Sequence, residues 1–84
     1  MVIFVSSQSA YEEMKDFILS GDHAVWFAAG ILTDDEIKCL WKKNIELSAL
    51  DYGVDTSDPR GQECAISTIK EHHPGQNIWV QYLN

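Results

Sequence analysis

The stretch VIFVSSQSAYEEMKDFILSGDHAVWFAA, residues 2 to 29, decides the fold because it holds two uninterrupted apolar runs with a helical pattern between them. The runs cover residues 2–5 and 24–29 and are rich in residues that favour strands. A continuous apolar run of this length indicates a strand that is buried on both faces, as in a parallel sheet. The stretch therefore predicts a strand, a helix and a second strand.

The helix between these runs is predicted from its ends and from its apolar face. Ser9 and Glu12 are three residues apart, the spacing of a capping box, and predict the helix start. Gly21 predicts its end. The side chains expected to share the buried face are Ala10, Met14, Phe17 and Ile18.

A second helix is predicted from LTDDEI, residues 32 to 37. Thr33 and Glu36 form a capping-box pattern, flanked by apolar residues that suit a hydrophobic staple. We expect the helix to run to about Asn44 and to bury Trp41 on its apolar face.

The rest of the chain supplies two more strands and one more helix. Residues 45–50 mostly alternate between apolar and polar, which fits a strand with one partly wet face. Asp58 followed by proline predicts the start of a helix over 59–72. The sequence NIWVQYL, residues 77–83, predicts a closing strand.

The element order is therefore βαβαβαβ, which predicts a single α/β domain over residues 1–84 with a mainly parallel four-stranded sheet and three helices. The two apolar runs are expected at the centre of the sheet and the third strand nearer an edge. The direction of the last strand stays open.

Charge limits the classes of partner. Thirteen acidic residues against six basic ones give a net charge of −7, and no stripe of Lys and Arg is present to displace the counterions of nucleic acid. A partner attracted by charge would be basic.

The longest apolar run, residues 24–32, is too short to span a bilayer. Two distant cysteines without export features predict a reduced, cytoplasmic protein.

Carboxylates gather in the loops that follow the predicted strands. In a parallel α/β sheet these loops lie along one rim, where such folds generally bind ligands. The loops and first helical turns carry Glu12, Glu13, Asp34, Asp35, Glu36, Asp51, Asp55 and Asp58. Capping and the helix dipole account for several of them. The residues predicted to bind a partner are Asp34, Asp35, Glu36, Asp51, Tyr52 and Asp55 in these loops and Trp79 on the last strand.

Three functions compete for this rim. The first is a non-enzymatic inhibitor, immunity or regulatory protein that docks its acids on a basic protein. The second is a Mg²⁺-dependent phosphoryl-transfer or hydrolytic domain that uses the same carboxylates. The third is a structural or oligomerisation module in which the acids serve only solvation. On the last strand, Trp79 could anchor an interface, or the strand edge could instead pair two copies into a homodimer. No catalytic or cofactor motif is found, so neither catalytic residues nor a cofactor are predicted.

Overall fold

The computed structural model describes residues 1–54 and 57–81, and within them strands and helices alternate in the predicted order. The elements are β1 (Val2–Val5), α1 (Gln8–Leu19), β2 (Ala24–Phe27), α2 (Asp34–Lys42), β3 (Leu47–Ala49), α3 (Pro59–His72) and β4 (Ile78–Val80). None of the helices in these ranges combines the length and the apolar character needed to cross a membrane.

The four strands form one sheet in the order β3-β2-β1-β4, and all three pairings are parallel. Phe4 of β1 stands between Trp26 of β2 and Val80 of β4 in the register. The predicted parallel α/β fold is confirmed, with the two apolar runs at the centre and β3 at an edge. The last strand, whose direction the sequence left open, is parallel and forms the other edge.

Both faces of the sheet are covered, which explains why β1 does not alternate between apolar and polar residues. Ile3 and Val5 pack with α1 and α2 on one face, whereas Val2 and Phe4 pack with α3 on the other. All four side chains are 0% exposed. A strand buried on both faces reads as a continuous apolar run.

The order of the strands in the sheet reverses at β1. The chain adds β2 and β3 on one side of β1 and then places β4 on the other side. Because every strand is parallel, all the carboxyl ends of the strands and the amino ends of the helices lie at one rim. This rim holds Asp34, Asp35, Glu36, Asp51 and Tyr52 of the predicted binding residues.

The predicted start of α1 is wrong by two residues. Ser7, directly after β1, keeps an extended backbone (φ −152°, ψ 164°) and its Oγ accepts the Ala10 amide at 3.1 Å. Ser9 already lies inside the first turn of the helix and therefore cannot be the N-cap residue. The end of the helix is as predicted, with Gly21 at φ +77° just beyond the cap.

Two aromatic residues that were expected in the core are exposed instead. Phe17 is 53% exposed because it shares the flank of α1 that carries Glu13, beside the narrow buried stripe. Trp41 is 56% exposed because α2 overlies the edge strand β3 and this flank reaches past the sheet. Its indole N–H points at the Leu47 carbonyl oxygen, 3.4 Å away, and so covers part of the open edge of β3.

Candidate functional site: an acidic rim at the carboxyl ends of the strands

The amino end of α2 carries the densest group of carboxylates. The Thr33 Oγ1 accepts the Glu36 amide at 3.2 Å, and the Glu36 Oε1 accepts the Thr33 amide at 3.1 Å. The predicted capping box is therefore confirmed. Glu36 uses one oxygen to hold the helix start, whereas Asp34 and Asp35 are exposed and have no capping contact.

These three carboxylates have no cationic neighbour bound to them. In residues 1–54 and 57–81, no Lys or Arg forms an ion pair with Asp34, Asp35 or Glu36. The positive end of the α2 dipole favours negative charge at these positions. The helix therefore holds three acids side by side in a solvent-exposed first turn, with their charges available to a partner.

The loop after β3 lies beside the loop that leads into α2. The Ala29 amide donates to the Tyr52 carbonyl oxygen at 3.1 Å, which joins the two loops. Asp51 and Tyr52 follow the buried Leu50, and Tyr52 is 41% exposed. We call the exposed group formed by Asp34, Asp35, Glu36, Asp51 and Tyr52 the acidic rim. Asp55, also predicted to bind, lies outside the described residues.

A further hydrogen bond fixes the loop between β2 and α2. The side chain of Gln8, at the start of α1, donates through Nε2 to the Ile31 carbonyl oxygen. Gly30 turns this loop with φ +83°, a conformation that L side chains rarely adopt. The loop is thus tied to α1 on one side and to the β3 loop on the other. These two hydrogen bonds restrict the movement of the loops that carry the acidic rim.

Trp79 is not part of the acidic rim. It lies on β4, at the opposite edge of the sheet from β3, and packs partly buried against the core on the α1 face. Among the described residues β4 pairs with β1 alone, so its outer edge is open. β4 is thus an edge strand, while an anchoring role for Trp79 and a homodimer through β4 stay predictions.

Sequence reasoning missed a hydrogen-bonded group where β1 and β4 end. The Ser7 hydroxyl donates to Gln81 Oε1 at 3.0 Å. The Gln81 amide in turn donates to Ser9 Oγ at 3.2 Å and to Glu13 Oε2 at 3.0 Å. No local signal could reveal this group because Gln81 is 68 residues or more from each partner. Glu13 is therefore engaged within the fold rather than left free for a ligand.

The adjacent residues Ser6 and Ser7 are expected to have opposite effects on the free energy of unfolding. Ser6 is 3% exposed and its buried Oγ has no hydrogen-bond partner among the described residues, whereas Ser7 both caps α1 and bonds to Gln81. An unpaired buried hydroxyl costs about 1–3 kcal/mol. Ser6→Ala should therefore raise the free energy of unfolding by about 1 kcal/mol, and Ser7→Ala should lower it by about 1 kcal/mol. Urea denaturation of both variants measures this difference, and a loss of stability in Ser6→Ala would show that its hydroxyl is satisfied.

The two histidines at the end of α3 contact Trp26 rather than the acidic rim. The Trp26 indole N–H donates to His73 Nε2 at 3.1 Å, and the His72 ring lies 5.2 Å from the Trp26 ring. The sequence predicted them only as residues of the helix end. In the structure His73 also accepts the hydrogen bond of the buried Trp26 indole, and His72 packs against its ring. This structural contact lies at the end of the molecule opposite the acidic rim.

The magnesium hypothesis finds no assembled ligand set in the described part of the chain. No three His, Cys, Asp or Glu side chains of residues 1–54 and 57–81 come together in a way that could hold a metal ion. The hypothesis concerned Asp51 and Asp55 together with the acids of the loop before α2, and because Asp55 lies outside these ranges it stays a prediction. The carboxylates that are described lie on two separate loops.

Comparison with known proteins does not assign the chain to a family. A scan against protein-family models found no match, and neither did searches of curated proteins and of solved structures. The function is therefore inferred from the residues and geometry of the chain itself.

Proposed function

We propose that this protein is a non-enzymatic binding protein that docks its acidic rim on a basic protein and so inhibits or regulates it. The observation that carries the proposal is the exposed carboxylate group at the start of α2, which has no cationic partner among the described residues. Exposed charges of one sign on a surface attract and orient a partner of the opposite sign.

The surroundings of these acids favour a docking surface over simple solvation. The hydrogen bonds from Ala29 to Tyr52 and from Gln8 to Ile31 fix the loops that carry the charges. A surface that is already ordered loses less entropy when it binds. Tyr52 adds an exposed aromatic side chain next to Asp51. Tyrosine is enriched among the residues that dominate binding energy at interfaces.

Affinity capture with three forms of the protein tests the proposal. The wild type, the rim variant Asp34→Asn/Asp35→Asn and the control Asp22→Asn/Glu46→Gln are immobilised and exposed to a cell extract at low salt. Asp22 and Glu46 are exposed and precede β2 and β3, so the control removes the same charge from the opposite end of the strands.

We expect the wild type and the control to retain the same protein of high isoelectric point. The rim variant should retain about tenfold less of it, because the steering charges are gone. Recovery that is equal for all three forms, or a retained protein that is acidic, would contradict the proposed function.

A further inference from the structure

A groove between α1 and α2 opens next to the acidic rim. It encloses about 260 Å³, and Asp35 and Glu36 line it together with Tyr11 and Leu19 of α1. Sites for small molecules usually enclose about 300–1,000 Å³. This groove is slightly smaller, which suits one large side chain of a partner better than a whole ligand.

We propose that the groove receives an arginine side chain of the basic partner, with the stem along its apolar wall and the guanidinium at Asp35 and Glu36. This inference rests on the proposed function and names the contact that anchors it. Arginine matches both parts of the groove because its stem is apolar and its planar head binds carboxylates with two hydrogen bonds.

The charges along the groove determine which way the arginine points. The helices α1 and α2 both start at the acidic rim, so Asp35 and Glu36 lie at one end of the groove and Leu19 and Lys43 at the other. A cationic head is attracted to the carboxylates and repelled by Lys43. The arginine therefore enters with its head towards the acidic rim.

The ammonium group of Lys15 already lies over Tyr11, on the apolar wall of the groove. The Lys15 Nζ stands 5.8 Å from the centre of the Tyr11 ring, and both residues line the groove. The wall thus accepts an alkyl stem that ends in a positive charge. Lys15 would have to move aside when the arginine binds, and its charge opposes the incoming guanidinium.

The first test uses a blocked tri-arginine peptide as the probe and a blocked tri-glutamate peptide as its control. Binding is followed by the amide NMR shifts of Tyr11, Leu19 and Cys39 in the wild type and in Lys15→Met, which keeps the stem but removes the charge. We expect tri-arginine to bind roughly two- to fivefold more tightly to Lys15→Met, the size of an exposed like-charge contact. Weaker binding of tri-arginine to this variant, or tighter binding of tri-glutamate, would overturn the inference.

A matched pair of bulky substitutions shows whether the peptide occupies the groove. Cys39 is exposed and lines the groove, whereas Cys64 is exposed on α3, across the sheet. Cys39→Phe should reduce tri-arginine binding by about tenfold or more by filling the space of an anchor residue. Cys64→Phe adds the same bulk elsewhere and should change nothing. Equal binding to both variants would place the peptide outside the groove.

The inference and the proposed function fail in different ways. If the captured basic partner depends on Asp34 and Asp35 but binds Cys39→Phe as tightly as the wild type, the groove inference alone is wrong. If no basic protein depends on the acidic rim, the proposed function is wrong. Loss of the captured partner in Cys39→Phe, with retention in Cys64→Phe, supports both.

Discussion

Phe4→Ala is expected to lower the free energy of unfolding by about 3–5 kcal/mol, the cost of a buried phenylalanine truncated in a core that cannot collapse. Phe4 is 0% exposed at the centre of the sheet and belongs to the core cluster under α3, with Trp26 and Leu50. A domain of this size has a total stability of only about 4–13 kcal/mol. The variant should therefore lose a large share of its stability, and urea denaturation followed by circular dichroism measures the loss.

Phe17→Ala is the matched control because it removes the same atoms from α1. Phe17 is 53% exposed, so the free energy of unfolding should change by less than about 1 kcal/mol. If Phe4→Ala does not fold at all, Phe4→Leu keeps most of the volume and should cost about 1.5 kcal/mol or less. If Phe4→Ala lowered the free energy of unfolding as little as Phe17→Ala, Phe4 would not be buried under α3.

Neutralising Asp34 and Asp35 is expected to slow association with the basic partner by about tenfold at low salt. The two carboxylates are exposed and form no ion pair within the described residues, so under the proposed function their charge would attract the partner at long range. Asp34 does not line the groove and should mainly steer the encounter, whereas Asp35 contacts the proposed arginine, so its loss should also speed dissociation. Stopped-flow kinetics with the captured partner separates the two rates.

The fold of the rim variant should survive the change. Thr33 and Glu36 still close the capping box, and each aspartate contributes only about 0.3–1 kcal/mol through the helix dipole. A thermal melt of Asp34→Asn/Asp35→Asn within a few degrees of the wild type would exclude unfolding as the cause of slower association. A large drop in melting temperature would instead assign Asp34 and Asp35 a structural role.

Features that depend on neighbouring residues could be predicted from the sequence. The capping box of Thr33 and Glu36 and the Asp58 cap before Pro59 are local, and the structure confirms both. The uninterrupted run over 2–5 predicted a strand covered on both faces, because one wet face would require alternation. The parallel topology then followed from the alternation of strands and helices.

Features that depend on where the sheet ends could not be predicted in the same way. Trp41 suits a buried helix face by spacing, but that flank of α2 reaches past β3, and no pattern in the sequence marks the edge. Both serines suit an N-cap by residue type, and Ser9 also has a glutamate three residues on, yet the end of β1 at Val5 makes Ser7 the cap. Gln81 bonds to Ser7 only because the sheet places β4 beside β1.

Part of the candidate site could likewise be predicted from the sequence, and part could not. That Asp34, Asp35 and Asp51 share one rim follows from parallel strands alone, and the hydrogen bond between Ala29 and Tyr52 gives this expectation its geometry. The groove beside it could not be anticipated, because its walls come from two separate helices. Lys15 over the Tyr11 ring is local in sequence, yet its place in one groove with Asp35 depends on how α1 and α2 pack.

The salt dependence of the association rate constant tests the central claim most directly. It is measured for the wild type, Asp34→Asn/Asp35→Asn and Asp22→Asn/Glu46→Gln from about 0.01 M to 1 M salt, over which the Debye length falls from about 30 Å to about 3 Å. An acidic rim that steers a basic partner predicts a steep fall with salt for the wild type and the control, a shallow fall for the rim variant, and convergence of all three at high salt. Parallel salt dependences for the three proteins, or a rim variant that associates as fast as the wild type at low salt, would contradict docking through the acidic rim.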